Sequence, residues 1–209
     1  MVVGEHRSEA GEPVLGFALL TVSDTRNERT DKGGGLLAAL VAGAGHRVVS
    51  RGLVRDDIGE IRAEVKAALA LPSVDTVLVT GGTGLAPRDV TIEAVTPLFE
   101  REIPGFGELF RMLSFAEIGA AAMLSRATAG LVSGRAIFLL PGSPAALELA
   151  LSRLVLPEIS HRLAQARRPA RSAAISVVPA PPKGSRTRPP RLEQSRIASA
   201  IIATGLQVG

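Results

Sequence analysis

Cysteine, tyrosine and tryptophan are all absent from this chain of 209 residues. Without cysteine the chain has no disulfide, no thiolate nucleophile and no zinc site of the cysteine type. Without tyrosine and tryptophan it lacks the usual aromatic platforms on which single-stranded nucleic acid stacks. No apolar stretch reaches the roughly 18 residues of a membrane-spanning helix, and the N-terminal MVVGEHRSEAGEP has no apolar centre of a signal peptide. We therefore expect a soluble, cytoplasmic protein that does not contact the membrane.

Positive charge is concentrated near the C-terminus. Residues 167–209 contain eight Lys or Arg and a single acid. The Pro- and Arg-rich stretch 166–191 lacks helical periodicity, which predicts an extended basic tail over 167–209. A solubilising tail is the simpler interpretation, and contact with nucleic acid or an acidic partner is the alternative. A flexible N-terminus at 1–13 and one domain at 14–166 complete the predicted organisation.

The body of the chain alternates between apolar runs and amphipathic segments. Strands are predicted at 13–24, 46–54 and 73–82, with two more around a Ser-Gly turn within 123–142. Helices are predicted at 35–45, 56–71, 91–100, 106–115 and 143–166, the last kinked or broken by Pro157. Such alternation is typical of βαβ units, so we expect an α/β fold with a mostly parallel sheet.

Short polar or glycine-rich segments follow four of the predicted strands, at 23–34, 54–57, 80–84 and 140–144. If the strands are parallel neighbours, these segments meet at the carboxyl rim, where open α/β sheets bind ligands. Glycines let backbone N–H groups approach an anion. The nearby acids would repel a triphosphate unless Mg²⁺ intervened; they are Asp24, Asp31, Asp56, Asp57 and Asp89. The pattern therefore predicts nucleotide chemistry with Mg²⁺.

Each of these features also has a purely structural interpretation. The GGTG segment matches neither the dinucleotide fingerprint nor the P-loop. Asp89 or Thr91 could cap one helix, and Asp56 or Asp57 could cap another. The residues alone therefore leave the role of each acid open and name no substrate.

Five motifs occur together along the chain: TVSDTR…DKGG, VTGGTGLAPRDVT, PGFGELFR, LSRATAG and IFLLPGSP. In this order and spacing they resemble the MoaB/Mog family of molybdenum-cofactor biosynthesis, over about residues 14–166. The resemblance implies a molybdopterin-binding domain: a three-layer α/β/α sandwich around a mostly parallel sheet, assembled as a homotrimer or as a hexamer built from trimers. It also implies a molybdopterin adenylyltransferase, which uses ATP and Mg²⁺ to form adenylyl-molybdopterin and pyrophosphate.

The resemblance assigns roles to individual residues. It implies that Asp56 and Asp89 are catalytic and hold Mg²⁺, with Asp57 as the register alternative to Asp56. It implies a set of substrate-binding residues: Ser23, Asp24, Gly81, Gly82, Thr83, Gly84, Ser125, Arg126, Gly142 and Ser143. All three histidines lie outside the strand-end segments, so we do not expect base catalysis by histidine.

Other functions remain as alternatives. A catalytically weak member of the same family would bind molybdopterin or nucleotide without turning it over. The same domain occurs in molybdate-insertion proteins beside further domains, for which this chain is too short, and in competence-damage-type proteins, whose glycine-rich stretch differs. The basic tail leaves nucleic-acid binding as a further alternative.

Overall fold

A six-stranded sheet forms the centre of the described structure, a computed structural model that covers residues 13–159. Its strands are β1 (Gly16–Val22), β2 (Arg47–Val54), β3 (Thr76–Thr80), β4 (Arg101–Glu102), β5 (Thr128–Val132) and β6 (Arg135–Leu140). Their order is β2-β1-β3-β6-β5-β4. The first four in that order run parallel, whereas β5 pairs antiparallel with both β6 and β4. The predicted mostly parallel sheet is confirmed.

Five α-helices cover the two faces of this sheet. They are α1 (Lys32–Gly43), α2 (Ile58–Ala70), α3 (Thr91–Val95), α4 (Pro104–Ile118) and α5 (Pro144–Ala150). Side chains alternate across a strand, so Phe17 and Leu19 pack with α1, α4 and α5. Ala18 and Leu20 of the same strand pack with α2 and α3 on the other face. The three-layer α/β/α sandwich is therefore confirmed.

Several helix boundaries differ from the predicted ones, and two of the differences have a clear local reason. Helix α1 begins at Lys32, three residues earlier than expected, because the Asp31 side chain accepts a hydrogen bond from the Gly34 amide and caps it. Helix α3 ends at Val95, after which Thr96–Leu98 form a 3₁₀ turn. Pro97 has no N–H to continue the α-helical hydrogen bonds, so the helix cannot extend to residue 100.

Pro157 does not break the C-terminal helix. Leu151–Val155 form a π-helical turn after α5, in which the Leu156 amide donates to the Leu151 carbonyl, and helix resumes over 156–159. The wider π-helical turn accommodates Pro157, which has no amide hydrogen to donate. The rest of the predicted helix, and the predicted terminal segments apart from Pro13, lie outside the described residues.

The predicted Ser-Gly turn is a tight hairpin. Ser133 and Gly134, which join β5 to β6, have φ angles of 49° and 73°. Two consecutive positive φ angles are typical of a type I′ turn, whose backbone twist matches the twist of the two strands that it joins. Over residues 13–159, no helix is both long and apolar enough to cross a membrane.

Candidate active site at the carboxyl rim of the sheet

The carboxyl ends of the four parallel strands lie level with one another. Val22 of β1 is opposite Val54 of β2, and Thr21 is opposite Thr80 of β3. Thr80 is in turn opposite Leu140 of β6. The four segments that follow these strands therefore leave the sheet at one rim, and the predicted convergence is confirmed.

A cavity of about 170 Å³ opens at this rim. It is lined by Val22, Ser23, Asp24, Thr25, Arg26, Asp56, Gly81, Arg88, Asp89 and Gly142. These residues come from the ends of all four parallel strands and from the loop between β3 and α3. Six of the residues expected at the site from the sequence line this cavity together: Ser23, Asp24, Asp56, Gly81, Asp89 and Gly142.

Glycine is required at the end of β3 for steric reasons. Gly81 has φ +99°, and a Cβ there would overlap the Val22 carbonyl oxygen of the neighbouring strand. Gly82 has φ +60°, and a Cβ there would overlap the Asp56 carboxylate and the Thr91 hydroxyl. The two glycines thus allow the loop to pass close beneath Asp56.

The carboxylate of Asp56 lines the cavity and has one buried oxygen. This atom, Oδ1, accepts no hydrogen bond from any of the described residues 13–159. Burial, followed by the charges of Asp24 and Asp89, raises the pKa of Asp56, while the Arg88 guanidinium opposes the rise. A buried acceptor without a donor costs about 1–3 kcal/mol, so this oxygen is placed to accept a cation or a donor from a ligand.

Asp57, the next residue, has a different structural role. Its side chain accepts a hydrogen bond from the Glu60 amide at 2.9 Å and caps the N-terminus of α2. The two neighbouring carboxylates are thus separated by the backbone: Asp57 belongs to the helix, and Asp56 to the cavity.

Asp24 and Asp89 lie in the cavity with hydrogen bonds that fix their orientation. Asp24 Oδ1 accepts from the Asp56 amide at 3.2 Å. Asp89 Oδ2 accepts from the Ala86 amide at 2.9 Å, within its own loop. Asp89 does not cap α3, because Val90 occupies the cap position and no side chain caps that helix.

Asp31, which the sequence also placed among the rim acids, does not line the cavity. Its Oδ2 accepts from the Thr21 hydroxyl at 3.0 Å and lies 3.5 Å from Arg51 Nη2. Its Oδ1 accepts from the Gly34 amide at 2.9 Å. Asp31 is therefore a satisfied helix cap.

Six of the residues implied by the resemblance lie outside the lining of this cavity: Gly82, Thr83, Gly84, Ser125, Arg126 and Ser143. The hydroxyl of Ser143 caps α5 by accepting from the Ala146 amide at 3.4 Å. The hydroxyl of Ser125 accepts from the Ala127 amide, also at 3.4 Å. A Cβ on Gly84 would come within 2.5 Å of Asp89 Oδ2, so this glycine leaves room for the Asp89 carboxylate.

Arg126 borders a second, larger cavity of about 340 Å³ at the same rim. Its lining comes from α3 and the turn after it, from β4, from α4 and from the start of β5. Three further charged side chains face it, namely Glu102, Glu108 and Arg111. The rim therefore carries two cavities: one with three aspartates and two arginines, which we call the acidic cavity, and one with two glutamates and two arginines.

Comparison with known proteins decides the family. Residues 18–161 match a family model described as a "probable molybdopterin binding domain". The chain is 46% identical over 169 residues to the molybdenum cofactor biosynthesis protein B of Bacillus subtilis (strain 168). The alignment covers 80% of this chain and 99% of that protein. The chain belongs to the molybdenum cofactor biosynthesis protein B family. The resemblance seen in the sequence is thereby confirmed.

Solved structures show the same fold. A crystal structure of a molybdenum cofactor biosynthesis protein B is 47% identical, has a TM-score of 0.74 and covers 76% of this chain and 99% of that one. The tungsten cofactor synthesizing protein MoaB from Pyrococcus furiosus is 37% identical, with a TM-score of 0.68 and coverage of 74% and 98%.

Two arginines of the cavity were not singled out from the sequence. Arg26 and Arg88 both line it. Each stands directly in a motif of this family, Arg26 two residues after Asp24 and Arg88 immediately before Asp89. Their position beside acids at a rim that is expected to bind phosphate was the available signal, since phosphate oxygens pair well with guanidinium groups.

The donor set of the cavity fits Mg²⁺ better than a metal that needs an all-protein cage. Within residues 13–159, no three His, Cys, Asp or Glu side chains group together so as to hold a metal ion. Mg²⁺ is usually held by one or two carboxylates, with waters and substrate phosphates completing its coordination. The unpartnered oxygen of Asp56, with Asp89 in the same cavity, matches that requirement.

Proposed function

We propose that this protein is a molybdopterin adenylyltransferase, which uses ATP and Mg²⁺ to convert molybdopterin into adenylyl-molybdopterin and pyrophosphate. The observation that carries the proposal is the buried, unpartnered Asp56 Oδ1, in a cavity that also contains Asp24 and Asp89. Membership of a molybdopterin-binding family supplies the acceptor substrate. An acidic cavity at the carboxyl rim suits the polyphosphate of the second substrate when a cation is present.

The reaction is a nucleotidyl transfer. An oxygen of the terminal phosphate of molybdopterin forms a bond to the α-phosphorus of ATP, and the bond to the bridging oxygen of the β-phosphate breaks. Pyrophosphate leaves with that oxygen. Since a phosphate monoester is already ionised at neutral pH, no strong general base is needed, and none of the described residues that line the cavity is a histidine. Positioning and charge neutralisation supply the rate enhancement.

Each charged group of the cavity has a place in this reaction. Asp56 and Asp89 would hold Mg²⁺, which would supply neutralisation of phosphate charge and alignment of the reacting groups. Arg26 and Arg88 offer guanidinium groups to phosphate oxygens. Gly81 shapes the floor of the cavity; its own amide donates to the Leu140 carbonyl at 3.1 Å and so is committed to the sheet.

The direct test is to incubate the protein with molybdopterin and ATP, with and without Mg²⁺, and to measure pyrophosphate. We expect Mg²⁺-dependent release. In Asp89→Asn the rate should fall by roughly 10²–10³, the usual loss when a preorganised electrostatic contact is removed. The variant should still bind molybdopterin, and its melting temperature should equal that of the wild type. Binding of molybdopterin with no pyrophosphate would instead identify a catalytically weak member of the family.

We also propose that the protein forms a homotrimer or a hexamer built from trimers, as the family resemblance implies. Helix α4 and the 3₁₀ turn Gly119–Leu124 expose a set of apolar side chains: Leu109, Met112, Phe115, Ile118, Met123 and Leu124. An apolar helix face of this kind is suited to contact between copies of the chain. Light scattering at micromolar concentration tests the assembly, and a monomer would contradict it.

A further inference from the structure

The side chain of Arg126 links the segment before β5 to the loop that carries Asp89. Its Nε donates to the Thr83 carbonyl at 3.3 Å, and its Nη2 donates to the Asp89 carbonyl at 2.7 Å. Its Nη1 forms an ion pair with the Glu93 carboxylate. Nε and Nη2 therefore contact the loop between β3 and α3, residues 81–90, which we call the Asp89 loop, and Nη1 contacts the helix that follows it.

The partners of Arg126 determine what this contact can do. Two of the three acceptors are backbone carbonyls, so the contact fixes the path of the chain on both sides of Gly84. The guanidinium is a planar group that presents its donors in a fixed fork, and the Arg126 side chain is only 26% exposed. A rigid, largely buried fork of donors therefore holds the backbone of Asp89 itself.

Local hydrogen bonds complete the Asp89 loop. The Ala86 amide donates to Asp89 Oδ2 at 2.9 Å, and the Asp89 amide donates to the Ala86 carbonyl at 2.8 Å. At the end of the loop, the Thr91 hydroxyl donates to the Gly81 carbonyl at 2.8 Å. These contacts give the loop its shape, and Arg126 joins the shaped loop to the far side of the rim.

The anion that orients Arg126 is ionised at neutral pH. Partial burial raises the pKa of Glu93, but a hydrogen bond from its own backbone amide and the charge of Arg126 outweigh this, and the pKa is lowered overall. Glu93 lies in α3, which is packed against the sheet. The ion pair therefore ties the guanidinium to a fixed element.

We propose that Arg126 is a positioning residue: it holds the Asp89 loop so that the Asp89 carboxylate stays in the acidic cavity with Asp56. This differs from the substrate contact that the family resemblance implies for Arg126. The inference deepens the proposed adenylyl transfer and rests on it, although the part that concerns the loop can be tested without activity.

The test compares Arg126→Lys with Arg135→Lys. Lysine retains the positive charge but is a single point donor, so it cannot hold both carbonyls. Arg135 is a matched control because its guanidinium also donates to a backbone carbonyl, that of Val74 at 2.9 Å, which precedes β3 at the opposite end of the sheet from the Asp89 loop. Glu93→Gln provides a second variant, which keeps Arg126 but removes its ionic partner.

We expect kcat for pyrophosphate release to fall by about tenfold to a hundredfold in Arg126→Lys, the scale of a misplaced catalytic group. The KM for molybdopterin and the melting temperature should change little. Hydrogen exchange of peptides that span 81–90 should be faster by about fivefold to tenfold, as expected when one or two hydrogen bonds are lost. Glu93→Gln should show the same pattern more weakly, and Arg135→Lys should leave exchange of the Asp89 loop unchanged.

Two results would overturn the inference. One is unchanged exchange of the Asp89 loop in both Arg126→Lys and Glu93→Gln. The other is a raised KM with unchanged kcat and unchanged exchange, because this would show that Arg126 contacts substrate. If the wild-type protein releases no pyrophosphate, the proposed function fails on its own, and the exchange comparison still decides whether Arg126 holds the loop.

Discussion

Two adjacent loops leave the same rim of the sheet, and their aspartates have opposite surroundings. Asp31, between β1 and α1, accepts from Thr21 and Gly34 and pairs with Arg51. Asp56, directly after β2, has a buried oxygen with no donor. Both follow parallel strands and both are close to the start of a helix.

The difference shows what separates a structural acid from one available to a ligand. Lying between a parallel strand and the next helix does not decide it, since both Asp31 and Asp56 do so. The number of hydrogen-bond donors around the carboxylate decides it. In a helix cap, donors of the protein bind the carboxylate oxygens, whereas an acid that binds a ligand keeps one oxygen without a donor from the protein. Asp57, which caps α2, shows that this distinction can change within one residue.

The largest expected effect comes from exchanging the neighbours Asp56 and Asp57 separately for asparagine. Asp56→Asn should lower the rate of pyrophosphate release by roughly 10²–10³, because it removes the charge that meets the metal and phosphates. Asp57→Asn should change the rate little, since asparagine caps a helix about as well as aspartate. Initial rates at saturating ATP and Mg²⁺ measure both. Equal losses of rate in the two variants would contradict the assignment of Asp56 to the reaction and of Asp57 to the helix cap.

A double variant sharpens the same result. If Asp56 and Asp89 serve one metal, the combined loss in Asp56→Asn with Asp89→Asn should be smaller than the product of the two single losses.

The next effect in size is on stability. Asp31→Ala should lower the free energy of unfolding by about 1–3 kcal/mol, because it leaves the buried Thr21 hydroxyl and Gly34 amide without their acceptor. For a chain of this length, each kcal/mol corresponds to a shift of roughly 2–4 °C in melting temperature. Asp57→Ala, at a more exposed cap, should cost about 1 kcal/mol. Thermal unfolding of the two variants side by side tests this, and an equal cost would show that burial of the Asp31 cap adds nothing.

The smallest effect concerns pH. Because the folded pKa of Asp56 is raised above its ordinary value of 3.8, the native state binds this proton more tightly than the unfolded chain. Ionised Asp56 thus lowers stability as pH rises through its folded pKa, and the loss is absent below the ordinary value. Asp56→Asn should therefore melt slightly higher than wild type at pH 7, and the gain should shrink as pH falls.

Added Mg²⁺ provides the control for the pH experiment. It should raise the melting temperature of wild type at pH 7 and have less effect on Asp56→Asn, because ligands that bind only the native state stabilise it. A stabilising effect of the same size in both proteins would place the metal away from Asp56.

Much of the fold could be predicted because buried parallel strands leave a plain signal. Every residue of β1 and of β3 is buried, and such strands read as continuous apolar runs. Once they are adjacent and parallel, their polar ends must meet, so the rim also followed from the sequence. Strand β4 could not be predicted, because it consists of two exposed charged residues that pair only with β5.

The site was harder to predict in detail, for a physical reason. Asp56 and Asp57 are chemically identical, and only the direction of the chain after β2 decides which one caps α2. The contacts of Arg126 with Thr83 and Asp89 span 43 and 37 residues of sequence. These contacts depend on the position of β5 in the sheet, which cannot be predicted from the neighbouring sequence. The motif resemblance therefore singled out Arg126, but it did not distinguish a residue that contacts substrate from one that positions the Asp89 loop.

The unpartnered oxygen of Asp56 has an evolutionary consequence. Selection for a stable fold would favour asparagine or another uncharged residue at this position, whereas selection for the proposed reaction would retain the acid. At Asp31 and Asp57, by contrast, an acid already serves the fold. A descendant released from catalysis should therefore lose the aspartate at position 56 while keeping the other two, so the residue found there would report whether a relative still carries out the reaction.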